Sequence, residues 1–272
     1  MIDPVARPYP ALKRDTAVAL AALLGISGLA WLWMFHLALQ MQAMAMPGMA
    51  DMAMSHLQMM SPALAPWTRT LGLYLFAMWL IMMIGMMTPT AAPMVLVYVR
   101  VSQHAARTGH RFVSAAWLLV GYLLAWTLFA ALATLAQWLL ESLAMMTPSM
   151  RAASRPIGAA VLFAAGIYQF MPAKEACLSR CRAPLQFIQQ HGGFQPRALP
   201  SLRLGFLHGL FCVGCCWALM ALLFVTGIMN LLWIAAIMVF VLLEKLLPRT
   251  RWLTRGAGVL MIAAGLWLLL AG

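Results

Sequence analysis

Seven stretches of this chain, roughly residues 17–39, 70–99, 112–140, 154–171, 203–228, 230–247 and 252–271, are almost wholly apolar. A membrane-crossing helix needs about 20 such residues. In hydrocarbon each backbone N–H and C=O must find its partner inside the segment, which an α-helix achieves. The expected fold is therefore all-α: a polytopic helical membrane protein of about seven transmembrane helices, forming a single transmembrane domain over residues 1–272. The breaks fall at "RVSQHAARTGHR", "ESLAMMTPSMRAASRP" and "QQHGGFQPRALPSLR", where polar, Pro and Gly residues gather, and around Asn230. Composition agrees. Only 9% of the residues are charged and 64% are hydrophobic, whereas soluble domains carry about 25% charged residues. The first segment follows Lys13 and Arg14 as a signal peptide would. Its apolar run is longer than a signal core of about 7–15 residues, so it reads as a retained first span.

A net charge of +12 would point to nucleic acid in a soluble protein. Here it has a topological reading, because cytoplasmic loops collect Lys and Arg. With the N-terminus inside, 15 of the 18 basic residues fall in cytoplasmic segments, and only Arg69, Arg151 and Arg155 fall outside. The expected topology is N-terminus cytoplasmic, C-terminus outside, with no nucleic-acid partner. It makes residues 40–66 a Met-rich extracytoplasmic loop and 172–202 a cytoplasmic loop with a C-x-x-x-C motif. Five cysteines is an odd number. None lies in a segment placed outside, which argues against a disulfide framework.

Sulfur is the chemical theme, with 24 methionines. The outer loop reads "MQAMAMPGMADMAMSHLQMM" and offers Met41, Met44, Met46, Met49, Met52, Met54, His56, Met59 and Met60. Thioethers are soft, neutral ligands that suit Cu(I), so these residues are candidates for outer capture. The alternative is a hydrophobic loop filled by adaptable Met. The second span carries "MWLIMMIGMMTPTAAPM", where Met78, Met82, Met86 and Met94 share a helix face that Met83 and Met87 widen. Gly85, Pro89 and Pro93 should kink this helix and free backbone carbonyls. Broken helices in transporters mark substrate sites.

The fifth span carries "GFLHGLFCVGCCWALM". His208 and Cys212 are four apart, and Cys212, Cys215 and Cys216 follow the i, i+3, i+4 rule, so one helix face presents an imidazole and then thiols. A lone buried Cys is ordinarily a small hydrophobe; three within five residues read as a ligand or redox cluster. Gly205, Gly209 and Gly214 should let neighbouring helices come close. Counting ~1.5 Å per residue from each membrane edge places Met82 and Met83 level with Cys212, and Met86 and Met87 level with His208. In "KEACLSRCRAPL", Cys177 and Cys181 are one turn apart beside Lys174, Arg180 and Arg182. Neighbouring cations favour the thiolate, the form that binds metal or attacks a disulfide. Glu244, at the end of the sixth span, reads either as a partner of Lys245 or a loop Arg, or as a proton or metal group. Thr88-Pro89 and Thr147-Pro148 both read as an N-cap followed by Pro in the first helical turn.

Three blocks taken together, "WLIMMIGMMTPTAAPM" (79–94), "GIYQFMPAKEACLSRCRAPL" (166–185) and "GFLHGLFCVGCCWALMALLFVTGIMNLLW" (205–233), with the Glu-Lys pair at 244–245, resemble a known family. It is the bacterial family of predicted metal-binding integral membrane proteins, a domain of unknown function. The resemblance carries onto Met82, Met86, Met87, Pro89, Cys177, Cys181, His208, Cys212, Cys215 and Cys216. It implies a metal site and a multi-pass protein of the bacterial inner (cytoplasmic) membrane, without naming the metal or a reaction. The Met-rich loop is not part of the family pattern.

These readings predict a protein that binds a soft metal ion, Cu(I), in the membrane and moves it or delivers it. The partners would be the lipid bilayer and a membrane cuproenzyme or copper chaperone, and the sequence leaves the oligomeric state open. There is no P-loop or phosphorylated-Asp motif for a primary pump. Two other classes stay open: a transmembrane thiol–disulfide electron carrier, which lacks an outer C-x-x-C acceptor, and a membrane enzyme with a metal cofactor.

Overall fold

The computed structural model describes residues 10–44, 67–107, 112–143, 145, 154–247 and 251–270. Among them the chain is all α, with no strand. The helices are α1 (Pro10–Met44), α2 (Arg69–Met87), α3 (Ala92–Arg107), α4 (Ala115–Ser142), α5 (Arg155–Tyr168), α6 (Pro172–Arg182), α7 (Pro184–Gln190), α8 (Ala198–Ala221), the single turn α9 (Leu223–Thr226), α10 (Leu231–Leu246) and α11 (Arg251–Leu270), with a 3-10 turn at Pro89–Ala91. Three starts follow ordinary capping chemistry. The side chains of Thr68, Ser114 and Asn230 accept from the backbone N–H of Leu71, Ala116 and Trp233.

Among the described residues five helices are long and apolar enough to cross a membrane, over Thr16–Gln40, Arg69–Met87, Ala115–Ser142, Ala198–Thr226 and Arg251–Leu270. A sixth arises if α5 and α6, bent by 62° at their joint, count as one broken span. The sequence reading of seven thus meets two short helices. The fourth stretch is the 14-residue α5 and the sixth is the 16-residue α10. The outward faces are apolar: Leu24, Leu29 and Leu32 on α1, Leu232 on α10, and Trp252, Leu260 and Trp267 on α11 are exposed. In water such faces would aggregate; they are compatible with a lipid environment.

Small residues let the backbones of apolar helices meet closely. The main crossing is α4 on α8. A Cβ at Gly121 or Gly205 would land on the other helix's backbone, at Leu202 and Leu118 respectively. At Gly209 it would stand 2.5 Å from the Cβ of Ala125 and 2.9 Å from the Tyr122 carbonyl. A second such crossing joins α5 and α11, where a Cβ at Gly166 would meet Ile262 at 2.7 Å and the Gly258 carbonyl at 2.9 Å. Gly214 serves α6 instead: a Cβ there would lie 2.8 Å from Cys177 Sγ, and Tyr168 donates to its carbonyl at 2.5 Å. The joint before α10 turns at Gly227, whose φ of 99° favours glycine.

The expected break in the methionine helix is present. Pro89 has no N–H to give the Gly85 carbonyl, and Ser27 Oγ of α1 donates to it instead at 2.8 Å. The Ala91 N–H bonds Thr88, so the Met87 carbonyl is also free for an outside donor. Thr88 precedes Pro at the first position of the 3-10 turn, as expected, but its side chain makes no cap bond and its buried Oγ1 has no partner. Thr147-Pro148 lies outside the described residues.

Candidate metal centre

Cys212, Cys215 and Cys216 project from one face of α8. Their three sulfurs lie within 4.8 Å of one another, and all three residues are buried. The i, i+3, i+4 spacing does this directly. The thiols of Cys215 and Cys216 both donate to the Cys212 carbonyl at 3.0 Å, which turns both sulfurs to the same side. A metal about 2.3 Å from each of three sulfurs, as for a Zn–S bond, has them about 3.8–4 Å apart, inside the 4.8 Å that bounds this set, so the three could hold one ion.

Cys181 of α6, 5% exposed, is buried in the same core as these thiols but does not join the three-sulfur set. Within 172–202 the chain forms α6 and α7, with Cys177 and Cys181 one helical turn apart and α6 laid along α8. Cys177 is half-buried against Gly214. All five cysteines are free.

The broken methionine helix reaches the thiols through a tyrosine. Tyr122 of α4 donates to the freed Met87 carbonyl at 3.0 Å, and its hydroxyl stands 3.1 Å from Cys212 Sγ and from Thr90 Oγ1. Thr90 Oγ1 also donates to the Met87 carbonyl and lies 3.9 Å from the Met87 sulfur. Depth counting placed Met82 and Met83 level with Cys212, whereas Met87 and Thr90 are what the fold brings there. Met82, Met83 and Met86 are fully buried, as is Met87, in the core that includes the thiols. They sit on α2, and α2 and α8 both pack on α4.

His208 lies one turn before Cys212, 2% exposed, and does not join the three-sulfur set. Its ring sits between Tyr122 (5.9 Å) and Phe187 (5.2 Å), and its buried Nδ1 has no hydrogen-bond partner among the described residues. His191 stacks on Phe187 at 4.2 Å. Met46, Met49, Met52, Met54, His56, Met59 and Met60 lie outside the described residues, and Met41 and Met44 fall in the last turns of α1.

Two charged residues take partners that the sequence did not reveal. Glu244 was open between a pair with Lys245 or a loop Arg and a role as a proton or metal group. Instead both its carboxylate oxygens accept from Lys174 Nζ of α6 at 2.8 Å, and Thr254 of α11 donates to one of them at 2.8 Å. Gln169 also accepts from Lys174, and Arg182 donates to the Glu244 backbone carbonyl. Successive residues on a helix point about 100° apart, so Lys245 faces elsewhere. Its Nζ donates to Cys212 Sγ at 2.8 Å and to Thr90 Oγ1 at 2.9 Å. Lys245, Tyr122 and Thr90 are the site neighbours missed from sequence. The one available signal was the rarity of an ionisable pair at the end of an apolar helix.

No curated protein and no solved structure matches the chain. A family model described as PpoB2, copper chaperone, matches residues 76–268, the portion that holds every element of the buried site from Met82 to Thr254. A soft sulfur cluster is the ligand set that such a cargo calls for, and it agrees with the metal-binding character implied by the sequence motifs. The chain belongs to the PpoB2 copper chaperone family.

Proposed function

We propose that this protein is a membrane-embedded copper chaperone that holds Cu(I) at the Cys212, Cys215 and Cys216 thiols and passes it to a membrane cuproenzyme. One observation carries the reading: three buried sulfurs within 4.8 Å of one another on a single helix turn. Family membership supports copper as the cargo. In this reading Cys181, buried in the same core, is the next sulfur in line, and the half-buried Cys177 follows it. Thiolate ligands exchange by forming the incoming bond before the outgoing one breaks, so adjacent sulfurs let an ion move without entering solvent. His208 adds an imidazole one turn away, and Met82, Met83, Met86 and Met87 supply thioethers on the broken helix. The Met-rich stretch, Met41 to Met60, is the proposed outer capture loop of residues 40–66. The charge asymmetry supports a seven-span, N-inside arrangement in a bacterial inner membrane, with α10 and the α5–α6 pair as the short crossings.

The test is Cu(I) stoichiometry and affinity of the purified protein and of Cys212→Ser, Cys215→Ser and Cys216→Ser, measured by elemental analysis and chelator competition. Each variant should lose at least about tenfold in affinity, equivalent to ~1.4 kcal/mol. Equal copper in all four proteins would reject the site. A second reading, thiol–disulfide electron transfer, draws on the burial of Cys181 in the same core as Cys212 and Cys215. It predicts a trappable disulfide between α6 and α8 in metal-free protein.

A further inference from the structure

Lys245 is the least expected neighbour of the thiol set. It is 6% exposed on α10, and its ammonium is hydrogen-bonded to Cys212 Sγ and Thr90 Oγ1. Adjacent Glu244 has its carboxylate on Lys174 and Thr254. Two successive charges on one short helix therefore serve two different helices. The Glu244–Lys174 pair ties α10 to α6, and Lys245 ties α10 to the cysteine helix.

A buried ammonium is costly unless an anion faces it. A metal–thiolate set is costly in the same place for the opposite reason. Cu(I) brings one positive charge, and two or three cysteine thiolates bring more negative charge than that. Placed in contact, the two unfavourable charges offset each other, and Coulomb attraction at this range is strong in a low-dielectric interior. Resting on the copper reading above, we propose that Lys245 belongs to the metal site as its fixed countercharge. Its ammonium on the Cys212 sulfur offsets the negative charge that Cu(I) acquires when cysteines bind it. The same arithmetic bears on selectivity. For a given set of thiolates, the complex of a monovalent ion is one unit more negative than that of a divalent ion, so it depends more on Lys245.

The test compares wild type, Lys245→Gln and Lys245→Arg in lipid nanodiscs, with Cu(I) and Zn(II) affinities measured by competition with chromophoric chelators. Lys245→Gln should lose at least about tenfold in Cu(I) affinity, ~1.4 kcal/mol, and less in Zn(II) affinity. Lys245→Arg, which keeps the charge, should hold Cu(I) close to wild type. A Lys245→Gln protein that binds Cu(I) as well as or better than wild type would overturn the proposal, as would equal losses for both metals. Wild type that takes up no Cu(I) would overturn the copper reading itself. Should Lys245→Gln not fold, wild type with 15N-labelled lysine gives the answer. The chain has three lysines, Lys13, Lys174 and Lys245. Cu(I) should shift the Lys245 Nζ resonance, identified by its absence from Lys245→Arg, and leave the other two in place. No shift at Lys245 would refute the assignment.

Discussion

Gly209 offers a test of how the fold builds the site. It lies on α8, one residue after His208 and three before Cys212, where α4 crosses. Replacing it by Ala puts a Cβ 2.5 Å from Ala125 Cβ and 2.9 Å from the Tyr122 carbonyl. Carbon atoms in contact sit about 3.5–4.0 Å apart, so α4 must back away by roughly 1 Å. Tyr122 rides on α4, and its hydroxyl is 3.1 Å from Cys212 Sγ. A rigid shift of that size takes the pair to about 4 Å, beyond a useful hydrogen bond. Overpacking costs about 1–3 kcal/mol, and the lost hydrogen bond adds about 0.5–1.5 kcal/mol. At ~2–4 °C per kcal/mol for a chain of this size class, thermal unfolding in detergent should fall on the order of 5–10 °C. Gly256→Ala is the control, since a Cβ there meets nothing within 4 Å. It should be neutral or gain a little, because Ala favours a helix by ~1 kcal/mol over Gly. Adding Ala125→Gly to Gly209→Ala removes the worst contact and should recover much of the loss. A Gly209→Ala protein that melts like wild type, or a double variant no better than the single, would refute the close-crossing argument.

Lys174→Met should destabilise the protein by about 3–5 kcal/mol, because it strands the buried Glu244 carboxylate; adding Glu244→Met should restore most of it, as measured by thermal unfolding of both variants. Tyr122→Phe removes the hydroxyl shared by the Met87 carbonyl, Thr90 and Cys212, and should cost about 1–3 kcal/mol. An unfolding midpoint equal to wild type would show that this bridge carries no stability.

Much of this molecule was legible in the sequence because the signals are local. Long apolar runs gave the helices. Pro89 announced the broken helix and the freed carbonyls, since a missing N–H is a property of the residue itself. The glycines of α8 announced close crossings, and the spacing of Cys212, Cys215 and Cys216 put three sulfurs on one face by helix geometry alone. Span length was less legible: hydropathy marks α5 and α10 as apolar but does not say where their backbones bend or stop.

The partners across helices were decided only by the tertiary structure. Nothing in the neighbourhood of Lys245 pairs it with Cys212, 33 residues away, or directs Glu244 to Lys174. Adjacent opposite charges in a sequence look like a pair, yet on a helix they point about 100° apart and meet whatever packs on each face. Likewise Cys181 comes to the thiols only because α6 folds back along α8, and Tyr122 finds the Met87 carbonyl only because the Pro89 break frees it. The sequence by itself determined an all-α chain with apolar outer faces and a cluster of soft ligands, because those properties follow from residue type and helical period. The tertiary structure decided which charge stands against which sulfur, because that depends on how helices distant in sequence are brought together.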